Sequence, residues 1–376
     1  IIGRVKNGFL EFRYGKVSLP VIRKETDLWL MNELEAVESY LKDPDFHDAY
    51  AINQMQQGEI VSTYRPCYAS IVCKTIRGKL RVYLHLTVEG LSFSKRTNDG
   101  IIKHPYGNGP VGCDIGTQTI AYTSDHTVGL ENLAERGNSI CCVERWQRLV
   151  QRAMDRSRRA MNPDNYNEDG TIRKGKKTWI KSKRYQKLQL RYRELCRISA
   201  ENRRLAIHEQ VHKMRSLGDI FVTEAKNAKK LQKRANPENP LDKNGRPKRK
   251  KRFGRSIQNR CPGYFQAKVK QLFESTGGTY IEVPSDYRAS QYDHTVDDYI
   301  KKKLSQRMYN LKDGTKVQRD WYSSFLLYCI DLITKTIDRQ KCLATFETQL
   351  NKEHAMIEEI IHLKKHIMNS GIRVAV

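Results

Sequence analysis

Short β-rich runs dominate the first hundred residues. IIGRVKNGFLEF, KVSLPVI, ASIVCKTI and KLRVYLHLTV are split by Gly, Asn and Arg-Gly turns. β-Branched and aromatic residues gathered between turn formers predict strands. The stretch TDLWLMNELEAVESYLKD breaks this pattern and predicts a helix. The expectation for 1–108 is a small β-barrel with a helical insertion, a type of barrel that often holds nucleic acid on one face.

From residue 109 the pattern changes. GPVGCDIGTQTIAYTSD predicts a strand, a tight turn and a second strand, with a third strand at NSICCV. ERWQRLVQRAMDRSRRAM predicts a helix, and NPDNYNEDGT is a turn-rich loop. A longer helix is expected over roughly 178–217, where Leu188, Tyr192, Leu195, Ile198 and Leu205 fall at helical spacing. DIFVTE and TYIEVP predict strands on either side of a helix, CPGYFQAKVKQLFESTGG, whose stop signal is Gly277-Gly278. A loop region, 285–318, leads to two last helices, WYSSFLLYCIDLI and roughly 340–370. No internal repeat is visible. The element order is that of an α/β protein.

Charge sharpens this picture. Lys and Arg number 68 against 42 Asp and Glu, a formal net charge of +26. So basic a chain repels itself unless a polyanion is near, which makes nucleic acid the natural partner. No apolar run approaches the roughly 20 residues that span a bilayer, so no membrane partner is expected. Between 171 and 217 there are 15 Lys/Arg against 3 Glu, and between 226 and 255 there are 13 Lys/Arg against Glu238 and Asp242. A solvated helix face explains some of this, but surfaces that need only solubility usually mix both signs. The candidate phosphate contacts are Lys176, Lys177, Lys181, Lys183, Arg184, Arg191 and Arg193, then Lys226, Lys229, Lys230, Lys248, Arg249, Lys250, Lys251 and Arg252. Tyr185, Tyr192, Trp179 and Tyr264 are candidate stacking groups among them. Nine cysteines, an odd count with no C-x-x-C spacing and no signal peptide, predict buried reduced thiols in a cytoplasmic protein. Ile1 opens inside an expected strand, so further chain is expected upstream.

Three acids carry the candidate chemistry. Asp114 lies in VGCDIGTQTIAYTSD, Glu224 closes GDIFVTE, and Asp320 lies in VQRDWYSSFLLYCI. Each has an ordinary structural use: a hairpin-turn Asp, a strand-end Glu paired with Lys226, an N-cap Asp. Together, in a basic chain, they suit a site that hydrolyses phosphodiesters. Carboxylates are hard oxygen ligands, and such sites hold two magnesium ions roughly 4 Å apart. Gly116, two residues after Asp114, lets backbone approach a phosphate. Ser323 and Ser324 are small enough to let the last motif's helix lie close to a sheet.

These motifs resemble those of the TnpB family of transposon-encoded RNA-guided nucleases, relatives of the type V CRISPR effectors. DIGTQTIAYTSD, FVTEAKNAKK and QRDWYSSFLL look like the family's three nuclease motifs, and VPSDYRASQ like the segment leading to its zinc ribbon. The resemblance spans roughly 110–335. It implies an RNase H-like (RuvC) nuclease domain over 109–335, with a basic helical insertion at 142–217 and a degenerate zinc-ribbon region at 290–318. A wedge-like β-barrel would occupy 1–108, and a C-terminal helix 336–376. It further implies Asp114, Glu224 and Asp320 as a magnesium-binding triad, with a guide RNA and target DNA as partners. Two departures stand out. The segment between Ser290-Gln291 and Arg319-Asp320 has no cysteine, so no Cys-ligated zinc is expected and the ribbon is either degenerate or replaced by a helical hairpin. The position two residues after Asp320, usually Asn in the family, is Tyr322.

Three function classes compete. An RNA-guided, magnesium-dependent DNA endonuclease accounts for the acids and the charge together. A nuclease-inactive, guide-directed repressor of transcription accounts for the charge and the missing ribbon, but not for intact acids. An actin-like or sugar-kinase ATPase shares an Asp-Ile-Gly-Thr loop, yet GTKVQRD and STGGTY are poor second phosphate loops, and such an enzyme has no need of this charge.

Overall fold

The computed structural model describes residues 2–6, 9–14, 17–20, 26–45, 65–89, 97, 103–135, 139–225, 241, 254–284, 287–303 and 305–374. The chain divides into two units, 1–105 with 275–277, and 106–274 with 278–376.

In the first unit β1 (Ile2–Lys6), β2 (Phe9–Tyr14) and β3 (Val17–Pro20) form an antiparallel sheet in that order. Helix α1 (Leu28–Lys42) starts where expected, because the Asp27 carboxylate accepts the Leu30 amide. β4 (Arg65–Ile76) and β5 (Lys79–Glu89) form a long hairpin. Arg77 and Gly78, both at positive φ, make its two-residue turn, the geometry that matches strand twist. Val37 of α1 packs with Leu34 and Leu41 against Ala69, Leu84, Leu86 and Val88 of the hairpin. Among the described residues the two ladders remain separate sheets, a three-stranded and a two-stranded one, where a barrel was expected.

The second unit is mixed α/β. β6 (Pro110–Ile115), β7 (Thr119–Thr123) and β8 (Val128–Asn132) form an antiparallel meander. The third strand is thus Val128–Asn132 and not NSICCV. The Ser124 amide and hydroxyl both bond the Thr127 carbonyl, which turns the chain straight back after β7. The apolar residues of NSICCV instead open helix α2 (Ser139–Met161), in which Val143, Gln147, Val150 and Met154 form the sheltered row at helical spacing. Helix α3 (Lys183–Leu217) begins five residues later than expected, where the Ser182 hydroxyl accepts the Tyr185 amide at 3.0 Å. β9 (Ile220–Glu224) returns parallel to β6. Helices α4 (Gly254–Arg260) and α5 (Pro262–Ser275) lead to β10 (Thr279–Val283), parallel to β9. The sheet order is β10-β9-β6-β7-β8.

Two short hairpins follow, β11 (Tyr292–Asp293) with β12 (Asp298–Tyr299), and β13 (Met308–Asn310) with β14 (Lys316–Gln318). These short ladders punctuate the loop expected over 285–318, and among the described residues there no helical hairpin forms. Gly314, at φ +91, closes the second hairpin where a side chain would be strained. Helix α6 (Arg319–Tyr328) stops at Cys329, and Ile330 then bridges to Ile337. Helix α7 (Arg339–His362) ends eight residues before the expected limit.

The sheet is covered on both faces. Val111, Cys113, Ile115 and Phe221 pack against Ile207, Val211 and Met214 of α3 and Phe265, Val269 and Phe273 of α5. Val222 and Val283 pack on the other face with Trp321, Tyr322, Phe325 and Leu326 of α6. β7 is buried along its whole length, with Ile120, Ala121 and Tyr122 between the buried Thr119 and Thr123.

Candidate nuclease centre

β6 and β9 run parallel, with Gly112 opposite Val222 and Cys113 opposite Thr223. The next residue on each strand is Asp114 and Glu224. The two acids therefore stand side by side at the carboxyl ends of adjacent strands, where open α/β sheets bind ligands. Successive side chains alternate between faces. Val111, Cys113 and Phe221 face α3 and α5, so Asp114 and Glu224 belong to the face that α6 covers. Tyr287 agrees with this placement. Its phenol is raised chiefly by burial, the Glu224 charge is among the smaller causes, and its hydroxyl donates to the Leu326 carbonyl on α6.

α6 rests directly on β6. A Cβ on Gly112 would lie 2.2 Å from both the Ser324 carbonyl oxygen and the Tyr328 amide nitrogen, so only glycine admits the helix at this depth. The Ser324 and Thr123 hydroxyls are 2.9 Å apart across the same contact. The Tyr328 hydroxyl donates to Asp125, whose carboxylate lies beside Gly109 just before β6. The helix thus runs opposite to the strand. Asp320 shares the i, i+4 row of Ser324 and Tyr328, so it is carried toward the end of β6 that bears Asp114.

Asp320 is not the helix cap, contrary to the ordinary use considered for it. Gln318 caps α6: its Oε1 accepts the Trp321 amide at 2.7 Å. Buried Gln318 is itself held by Glu353, which accepts its amide at 3.0 Å, and by the Ser370 carbonyl, which accepts its side chain at 3.1 Å. Asp320 sits in the first turn, where the helix dipole favours a negative charge. Its Oδ1 is 3.6 Å from Arg307 Nη1. Among the described residues no three His, Cys, Asp or Glu side chains are gathered closely enough to hold a metal ion. The strand register and the seating of α6 bring the three acids to one edge of the sheet. As donors, three carboxylates fit the oxygen preference of magnesium.

Tyr322 is wholly buried. Its hydroxyl oxygen accepts the His294 amide at 3.2 Å and lies 2.7 Å from His294 Nδ1. Tyr309 meets it edge-on, and the Lys302 ammonium stands 3.7 Å from the Tyr309 ring centre. Burial pushes the Lys302 ammonium down to about 8 and holds His294 below the usual imidazole range. Tyr322 therefore anchors the hairpin region to α6 and takes no place at the sheet edge. Sequence reasoning also passed over Glu353, a buried acid that desolvation pushes up to about 7. No local signal marks it, since α7 carries it at an unremarkable helical position.

The basic candidates divide by position. Lys176, Lys181, Lys183, Arg184, Arg191 and Arg193 are exposed, and Lys177 is half-buried with its ammonium on the Gly175 carbonyl. Lys226, Lys229, Lys230, Lys248, Arg249, Lys250, Lys251 and Arg252 lie outside the described residues. Arg145, Arg148, Arg152, Arg156 and Arg159 of α2, absent from the candidate set, form an exposed row along one helix face. Their three- and four-residue spacing was the available signal. Of the candidate stacking groups, Trp179 is engaged by Arg158 and Tyr166, and Tyr192 by Gln151. Tyr264 is partly exposed beside His208. No helix among the described residues is long and apolar enough to cross a membrane. No protein-family model matches the chain, and no curated protein matches it either.

Proposed function

We propose that the chain is an RNA-guided, magnesium-dependent DNA endonuclease of the TnpB type. It would cleave phosphodiesters at a site formed by Asp114, Glu224 and Asp320. One observation carries this reading: two acids sit in register at the carboxyl edge of neighbouring parallel strands, and the helix bearing the third is seated on the same face by Gly112. A three-stranded meander extended by two parallel strands supports an RNase H-like (RuvC) domain. Magnesium, when bound, supplies an activated water and steadies the leaving oxygen. The protein's part is to present three carboxylates from rigid strand ends and a helix start. The exposed cations of α2 and α3 would hold RNA by its phosphates while base pairing reads the target.

The test is a magnesium-dependent nicking assay on a matched target, using protein purified with its RNA and its Asp114→Ala variant. Cleavage by the first and not the second is expected. If neither cuts, or if both cut equally, the endonuclease reading is wrong. The exposed cations of α2 and α3, which serve binding whether or not cleavage follows, also suit one alternative, a guide-directed repressor that binds DNA without cutting. It predicts target binding that Asp114→Ala leaves unchanged and no nicking by either protein.

A further inference from the structure

Arg307 stands against Asp320, its side chain 34% exposed and that of the acid 17%. Its backbone is tied down on two sides. The Arg307 carbonyl accepts the Arg319 amide at 2.9 Å, and neighbouring Met308 pairs with Gln318, the cap of α6. Gly371 closes the other side, at φ +79, where a Cβ would lie 2.6 Å from that of Arg307. The hairpin β13–β14 thus delivers a guanidinium to the first turn of the helix that carries the acid. A half-exposed ion pair contributes little to stability, so so firm a mounting points to another use.

Resting on the endonuclease reading, we propose that Arg307 is a phosphate-binding residue of this site. It neutralises Asp320 in the free protein and turns to a phosphate oxygen of the nucleic acid when a divalent cation takes the carboxylate. The planar guanidinium donors match phosphate as well as carboxylate. The anchored backbone keeps the side chain in reach of both, and its exposure leaves it room to turn.

The roles separate in binding measurements that need no turnover. Mn²⁺ affinity is measured by electron paramagnetic resonance for the RNA-bound wild type, Arg307→Ala, Arg307→Lys and Asp320→Ala. Target-strand DNA affinity is measured for the same proteins in Ca²⁺. Arg307→Ala is expected to bind Mn²⁺ about fivefold more tightly, since a competing charge is gone. It should bind DNA about tenfold more weakly, and Arg307→Lys should fall between on both scales. Unchanged or weaker Mn²⁺ binding by Arg307→Ala, or unchanged DNA binding, overturns the proposal. If Asp320→Ala also leaves Mn²⁺ binding untouched, the metal site itself is wrong and the proposal falls with it. If Asp320→Ala alone weakens Mn²⁺, only the role of Arg307 is lost.

Discussion

Gly112 lies directly under Ser324, close enough that a methyl group in place of its hydrogen would stand 2.2 Å from the serine carbonyl oxygen. This contact sets how deep α6 lies on the sheet and so where Asp320 falls relative to Asp114. Gly112→Ala should force the helix outward and destabilise the protein by about 3 kcal/mol, at the upper end of overpacking costs. Urea unfolding measures this. A variant as stable as the parent would show that α6 does not rest on β6 as described.

The acids should separate function from stability. Asp114→Ala and Glu224→Ala at the strand ends, and Asp320→Ala in the first turn of α6, are expected to lower cleavage by about a thousandfold or more. Their thermal midpoints should stay close to the parent's. A variant that loses cleavage only in proportion to a loss of folded protein would mark that acid as structural.

Glu353 makes stability depend on pH. Its side chain is 1% exposed, one oxygen accepts the Gln318 amide, and the other is 3.6 Å from His354 Nε2. Burial raises its folded value from 4.5 to about 7. Between those values the folded state holds a proton that the unfolded state has released. The contribution is therefore fully present below pH 4.5 and is lost as pH rises toward 7, by on the order of 3 kcal/mol. Glu353→Gln should flatten unfolding free energy across this window. An equally steep profile in the variant would assign the dependence to other groups.

RNA binding should respond to charge by number rather than by sequence. Each of Lys183, Arg184 and Arg191 changed to Gln is expected to reduce the salt slope by about 0.7–0.9 and to weaken unrelated RNAs alike. Filter binding at several salt concentrations reads both. A slope unmoved by the triple change would remove α3 from the RNA interface.

Local signals were readable where a single element satisfies them. The spacing of Leu188, Tyr192, Leu195 and Ile198 predicted α3 because one helix face has to be covered whatever covers it, whereas Leu205 is exposed and Ala206, Ile207, Val211 and Met214 carry the buried face onward. The start of that helix was missed because Ser182, and not the first apolar residue, ends the search for a donor partner. NSICCV was misread for a related reason. A short apolar run fits strand and helix alike, and only the tight return at Ser124–Thr127 assigned the third strand to Val128–Asn132. The segment 290–318 gave no periodic pattern, since its hairpins are held by distant partners. Tyr322 binds His294 across 28 positions, and Gln318 reaches Glu353 and Ser370.

The amino-acid order by itself determined that Asp114 and Glu224 each close an apolar run, that the chain is α/β, and that its surface is strongly basic. Those properties follow from composition and from alternation within one element. Which faces meet was decided only by the folded molecule. The notch at Gly112 seats α6 and carries Asp320 to the strand ends, and the β13–β14 ladder brings Arg307 against it. Both depend on contacts between residues far apart in the chain, and no periodicity within a strand or helix records its neighbour.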